Sequence, residues 1–358
     1  MSSPGNSPVR NNTQRVSDTG ERALIERIRR RVPPAPPGLL VGIGDDAAVA
    51  APDRGALQVL TTDALVEDIH FNRRFSTPAD IGYKALAVNV SDVASMGGAP
   101  RFALLSLMLP IQTTLGEVDG LLDGLLELAA ETRVSLVGGN ITRSPGPLVV
   151  DVTVVGSVKP RKVLTRGGAH AGDALYVTGQ IGAAAAGLAW LRREAGEPAQ
   201  GHRADTILPR PDDPGLAECV ARHCRPQPRA RIGALLGRTR TASACMDLSD
   251  GLADAVMQLS CASETGAAID SASLPLHPAA RAWFTAAGDD AVAASVAGGD
   301  DYELLFAVPP RVRGRLRGVL REARGVPITR IGELTHDRTI GLLSGGRIEP
   351  LPLGFVHF

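Results

Sequence analysis

The chain has 358 residues, 38 Lys plus Arg against 38 Asp plus Glu, and 44% hydrophobic but only 3% aromatic residues. That length suits two domains with a sizeable core and excludes a small disulfide-stapled scaffold. Zero net charge and few aromatics argue against nucleic acid or acidic membranes as partners, and the longest apolar run, at residues 181–191, is too short to span a bilayer.

Residues 1–20 are polar, lack the apolar stretch of an export signal and read as a disordered tail. Residues 21–31 put Leu24, Ile25 and Ile28 on one helical face, and the Pro-rich VPPAPPG stops that helix. Strands are expected to end at Ile43 and Leu60 and to cover 103–109, 134–137 and 148–155, with helices over 79–96 and 115–132 between them. The segment 159–172, rich in Arg, Lys and Gly, marks a domain boundary. Beyond it a strand is expected at 174–178, then helices at 183–193, 215–223 and 230–236. A strand entering 245–248, a helix from Leu252, strands at 303–308 and 328–334 around a helix at 311–323, and a Gly-rich tail complete the chain. Residues 196–214 read as an exposed loop. The division is thus a tail at 1–20, an α+β domain at 21–158 and an α/β domain at 159–358.

Four cysteines, Cys219, Cys224, Cys245 and Cys261, lack CxxC spacing and read as reduced thiols of a cytoplasmic protein. Zinc at Cys219, His223 and Cys224 would want a second ligand pair that does not stand out.

Acidic residues recur in one context, after an apolar run and beside Gly, Ser or Thr. In GIGDDAAV, Gly44 lets the chain turn and Asp45 and Asp46 emerge; an ordinary surface turn is the alternative. TTDALVEDIHF brings Thr61, Thr62 and Asp63 to a strand end, followed by Glu67, Asp68 and His70. NVSDVASMGG embeds Asp92 in an apolar helix, where a carboxylate costs several kcal/mol unless paired or bound to a cation. If Asp46, Asp63 and Asp92 converge, magnesium is the natural counter-ion, since it takes carboxylate and hydroxyl oxygens and is completed by substrate phosphates. VGGNITRSPG offers two glycines for close approach to a phosphate. MDLSDGLADA and AGGDDYELLF add Asp247, Ser249, Asp250, Asp300 and Asp301. There is no GxxxxGK[ST], no GxGxxG after a strand and no kinase motif set, so phosphate chemistry would rest on carboxylates and metal. Lys84, Lys159, Arg161, Lys162 and Arg166 are the candidate cations, with a solvated surface charge the simpler reading of each.

The ordered series GIGDDAAV, TTDALVEDIHF, GYKALAVNVSDVASMGGAP, LTRGGAHAGDALYVTG, DLSDGLADA and GGDDYELLF, from about Arg22 to Phe358, resembles the thiamine-monophosphate kinase family of the aminoimidazole ribonucleotide synthetase-like superfamily. The resemblance implies a two-domain α+β and α/β fold. The N-terminal mixed sheet would join that of a second copy in a dimeric β-barrel, and the C-terminal domain would cover the nucleotide. It also implies a homodimer that transfers the γ-phosphoryl group of ATP in line to thiamine monophosphate, with several magnesium ions. Carried over by position, Asp46, Thr61, Thr62, Asp63, Asp92, Asn140, Asp247 and Asp250 resemble metal ligands, with Asp63, Asp92 and Asp250 nearest the transfer. Gly139, Asn140, Arg166 and Ser249 resemble ATP contacts; His70, Asp300 and Phe355 resemble thiamine-phosphate contacts. Two departures stand out: many members have Asp where this chain has Asn140, and often Glu at Asp300. The alternatives are a sister ATP-dependent enzyme, or a non-catalytic thiamine-phosphate or nucleotide sensor, which would be expected to lose its metal carboxylates first.

Overall fold

The computed structural model describes residues 13–196, 207–352 and 354. Ordered backbone begins before the expected end of the tail, because Arg15 bridges to Thr114 and a short helix, α1 (Val16–Thr19), precedes α2 (Glu21–Arg31). A two-stranded ribbon, β1 (Leu39–Val41) and β2 (Val49–Ala50), follows. The first large unit is a four-stranded sheet built from β3 (Leu57–Val66), β4 (Ala99–Pro110), β5 (Ser135–Ser144) and β6 (Val149–Val158), in the order β3-β6-β4-β5. All neighbours are antiparallel except the β4–β5 pair.

Two helices cover one face of this sheet, α3 (Pro78–Ser95) and α4 (Leu115–Thr132). Both start in a capping box, Thr77 with Asp80 and Thr114 with Glu117, which satisfies N–H groups that have no partner inside the helix. The helices cross closely because Gly82 and Gly124 sit at the crossing. A Cβ on either would meet the carbonyl oxygen of Leu121 or Ala79 at 1.9 or 1.7 Å. Helix α3 is apolar around most of its circumference, so it is buried on nearly every side, against the sheet on one flank and the second domain on the other. The sheet's opposite face leaves Leu60 67% and Leu104 36% exposed.

The second unit holds β7 (Ala174–Thr178), α5 (Ala183–Ala195), α6 (Pro214–Cys224), α7 (Ala230–Thr239), β8 (Ala244–Asp247), α8 (Leu252–Ala262), β9 (Gly266–Asp270), α9 (Pro278–Ala287), α10 (Ala291–Ala297), β10 (Leu304–Val308), α11 (Arg313–Glu322), β11 (Ile328–Thr335), β12 (Ile340–Ser344) and β13 (Arg347–Pro350). Its strands form one mixed sheet in the order β13-β12-β9-β11-β7-β10-β8. Every residue of β10 is buried; Leu305 and Ala307 face one core and Leu304, Phe306 and Val308 another, because helices cover both faces.

The departures from the expected elements share a cause. Strand β3 does not stop at Leu60 but runs on through Thr61, Thr62 and Asp63, and β5 carries Gly139 and Asn140 inside the strand rather than in a loop. Both continue where polar residues break the apolar run, because the pairing with β6 and β4 satisfies the backbone. The expected Gly-rich tail contains β12 and β13, paired through a turn at Gly345 and Gly346. Strand β9 and helices α9 and α10 lie where no element was expected. Of the loop expected at 196–214, residues 197–206 lie outside the described residues, and Asp213 caps α6.

Candidate active site

The inward-facing residues of β3 alternate, so Thr61 and Asp63 lie on the face that packs against α3, where Asp92 emerges three residues before the helix end. The Thr61 hydroxyl donates a short hydrogen bond to the Asp92 carboxylate. From the preceding residue of α3, and across the seam, the Ser91 hydroxyl donates to Asp247 Oδ2 at 2.6 Å, and Asp247 is the last residue of β8. Asp250 follows in the turn before α8, close enough for its charge to act on Asp63. Carboxylates of both domains therefore converge on one seam.

Their electrostatics are those of acids gathered in a half-buried seam. Burial, then the charge of Asp92, a hydrogen bond to it, and the charges of Asp151 and Asp250 push the Asp63 carboxyl up to about 6. Burial raises Asp92 as well, against the pull of Thr61 and Arg166. Burial and the charge of Asp92 push Asp247 up to about 7, with the Ser91 hydroxyl opposing. The donors are oxygen alone, which suits magnesium. Among the described residues no three His, Cys, Asp or Glu side chains close on one point as a finished cage. Arg166, in the segment linking the domains, is exposed, bonds Gln258 at 2.5 Å and lowers both Asp92 and Asp247 by its charge.

The expected substrate contacts meet at a second point of the seam. Lys84, on α3, donates to the backbone oxygen of His70 at 3.2 Å and to Asp300 Oδ2 at 2.9 Å. The His70 ring accepts the Val66 N–H on Nδ1 at 3.1 Å, which leaves the proton of the neutral ring on Nε2. His223 Nδ1 lies 3.2 Å from the same Asp300 oxygen without the alignment of a hydrogen bond. Burial alone would raise the Asp300 carboxyl, yet Lys84 and His223 hold it well below the usual carboxylate range. Asp300 itself sits at φ 68°, a left-handed conformation in the loop before β10. Lys84 was expected as a surface charge and is instead 3% exposed; the apolar helix that carries it is sunk between the domains.

Other expected residues are placed differently. Thr62 points away from Thr61 and Asp63, on the other face of β3, where its hydroxyl meets Asp151 Oδ1 at 3.0 Å and Thr153 at 2.9 Å. Asn140 lies on that same face, exposed, in β5. Gly139 is required by strand pairing, since a Cβ there would meet the Leu105 carbonyl oxygen at 1.9 Å. Asp46 sits in an exposed turn, its N–H donating to Asp45, and among the described residues no hydrogen bond joins it to the central carboxylates. Ser249 accepts the Asp300 N–H through its backbone oxygen at 2.7 Å, tying the two acidic loops together. Phe355 lies outside the described residues; its neighbour Gly354 lies against Asp250 and Asp254. Cys219, Cys224 and Cys245 are buried free thiols and Cys261 an exposed one.

Sequence reasoning missed Asp151. The alternation in VVDVTV, with Asp151 and Thr153 on one face and valines on the other, was the available signal. A groove of about 1130 Å³ lies away from the central carboxylates. Arg101, Arg225 and Arg229 on its wall are already paired with Asp53, Asp80, Glu127 and Glu303.

Residues 44–158 match the family profile of the AIR synthase related protein N-terminal domain, and residues 170–343 that of its C-terminal domain. The chain is 38% identical to a thiamine-monophosphate kinase of Escherichia coli K12, over 95% of this chain and 98% of the relative. A crystal structure of the thiamine-monophosphate kinase from Stenotrophomonas maltophilia K279a superposes with a TM-score of 0.78 at 34% identity, covering 91% of this chain and 96% of that one. A structure described as AaThiL complexed with AMPPCP and TMP superposes with a TM-score of 0.71 at 30% identity, covering 97% and 99%. Among the described residues no helix is long and apolar enough to cross a membrane.

Proposed function

The chain belongs to the thiamine-monophosphate kinase family of AIR synthase related proteins, and on that premise we propose that it transfers the γ-phosphoryl group of ATP directly to thiamine monophosphate, yielding thiamine diphosphate and ADP, with magnesium required. The observation that carries this reading is the convergence of Asp63 and Asp92 from one domain with Asp247 and Asp250 from the other, beside Arg166. The relative described with AMPPCP and TMP supports both substrates.

Asp46, Asp63, Asp92, Asp247 and Asp250 would hold the magnesium ions, which when bound neutralise phosphate charge and align the transferring group. Thr61 and Ser91 orient Asp92 and Asp247 by donating hydrogen bonds to them. Arg166 offers a planar donor fork to the nucleotide phosphates. The Lys84 link holds His70 and Asp300 side by side on the acceptor's flank. The acceptor is a phosphate oxygen already ionised at neutral pH, so alignment and charge neutralisation do the catalysis and no strong base is needed.

The same reading includes a cytoplasmic homodimer. Its interface would include the part of the four-stranded sheet's outer face where Leu60 and Leu104 are exposed, which closing two such sheets into a barrel would cover, with the row through Asp151, nearer the strand ends, at the barrel's mouth.

The test is purified protein with ATP, magnesium and thiamine monophosphate, thiamine diphosphate being followed by chromatography with thiamine and an aminoimidazole ribonucleotide precursor as control acceptors. Thiamine diphosphate formed only with thiamine monophosphate and magnesium is expected. A folded protein that makes none, or makes it equally well in chelator, overturns the reading.

A further inference from the structure

The outer face of the N-terminal sheet carries a polar row that the reaction scheme above leaves unused. Cross-strand partners share a face of a sheet. Ala64 on β3 pairs with Asp151 on β6, Asp151 with Ser106 on β4, and Ser106 with Asn140 on β5. Asp151 and Asn140 therefore lie on one face, separated by the single small residue Ser106, at two strand spacings of roughly 4.8 Å each. In the next row, Thr62 pairs with Thr153, and the Thr62 hydroxyl reaches diagonally to Asp151 Oδ1 at 3.0 Å. Asp151 is the sole carboxylate that the four strands place on this face. Asp63 and Asp92 lie behind β3, and the charge of Asp151 is felt by Asp63. The metal site thus has two sides, with β3 between them.

We propose that Asp151 is a divalent-cation ligand of this chain, acting with Asn140 and Thr62 on the outer side of β3 and supplying the negative charge that Asn140 lacks. The inference deepens the proposed function and rests on it. The chemistry is direct. An amide and a hydroxyl each offer magnesium an oxygen but no charge, and a hard dication that sheds water reluctantly is bound through one or two carboxylates plus substrate phosphates. Asp151 is the residue positioned to be that carboxylate. The Thr62 hydroxyl, held between Asp151 and Thr153, positions it and leaves the second carboxylate oxygen for an ion.

The test is Mn2+ binding to the full chain with AMPPCP, read by electron paramagnetic resonance and calorimetry, for the wild type, Asp151→Asn, and the exchange variant carrying Asn140→Asp with Asp151→Asn. Asp151→Asn should weaken Mn2+ binding roughly 10- to 100-fold, and the exchange variant should recover most of that loss because it returns a carboxylate to the same row. Unchanged affinity in Asp151→Asn, or an exchange variant no tighter than Asp151→Asn, overturns the assignment, as does a wild type that binds no Mn2+. Should Asp151→Asn fail to fold, Asp151→Thr, a good strand former, carries the same comparison. A wild type that binds Mn2+ with AMPPCP in an Asp151-dependent way yet forms no thiamine diphosphate leaves the ligand assignment standing and overturns the substrate reading alone.

Discussion

Two groups of buried acids share the seam between the domains and behave in opposite ways. At Asp63, Asp92 and Asp247 the carboxyls face one another and hydroxyl donors; burial raises all three, and the charge of Asp92 adds to the rise at Asp63 and Asp247. At Asp300, some residues away in the same seam, Lys84 and His223 hold the carboxyl below its usual range. The first group has hydroxyl donors and the exposed Arg166 as its counterweights; the second has a buried ammonium in direct contact. An acid left without a fixed cation favours a mobile one, and an acid already paired can only position something else.

The sharpest way to break this contrast is Asp63→Asn. It should lower kcat at least a thousandfold while leaving the melting temperature unchanged or higher, since it removes one of the repelling charges. Steady-state kinetics beside a thermal melt would show it, and residual turnover near wild type would sink the metal assignment. Lys84→Met should do the reverse, acting first on folding. It leaves the half-buried Asp300 without its ammonium partner, a loss of about 1–3 kcal/mol, read as a lower denaturation midpoint. A variant as stable as wild type would show that the Lys84 link carries no structural weight.

Smaller effects sharpen the contrast further. His70→Ala should raise KM for thiamine monophosphate about tenfold, roughly 1.4 kcal/mol, with KM for ATP nearly constant. An unchanged KM for thiamine monophosphate would remove His70 from the acceptor's flank. The smallest effect is on stability against pH. Asp63 and Asp247 rise from an ordinary 3.8 to about 6 and about 7 when folded. The folded state then keeps protons that the unfolded chain releases, so these two groups subtract stability as pH climbs from about 4 through 7. Magnesium offsets that loss only where the carboxyls are ionised, so its gain in melting temperature should be larger at pH 8 than at pH 5. Asp300 has the opposite sign, contributing stability that is lost as pH falls below the ordinary carboxylate range. A magnesium gain equal at both pH values would mean that the ion binds elsewhere.

The AIR synthase related fold and the family were legible in the sequence because six ordered motifs each carry local chemistry, and local chemistry survives without coordinates. The helices at Glu21–Arg31, Pro78–Ser95 and Leu115–Thr132 followed from periodicity, the first with a Pro-rich stop, for the same reason. Strand interiors were harder. Thr61, Thr62 and Asp63 look like a strand's end, since an apolar run stops there, yet pairing with β6 carries the strand through them. Lys84 looked like a surface charge because a single sequence does not reveal that the helix bearing it has a neighbour on every side.

By itself the sequence determined which residues have oxygen donors, where glycines fall, and the order of motifs along the chain. These are properties of single residues and their near neighbours. Only the tertiary structure decided which donors meet. Strand pairing set Thr61 and Asp63 against Asp92 and turned Thr62 to the opposite face beside Asp151, and the seam between domains brought Ser91 to Asp247 and Lys84 to Asp300. The reason is geometric. A strand sends alternate residues to opposite faces, so adjacent letters separate, while chain crossings bring together residues more than 150 positions apart.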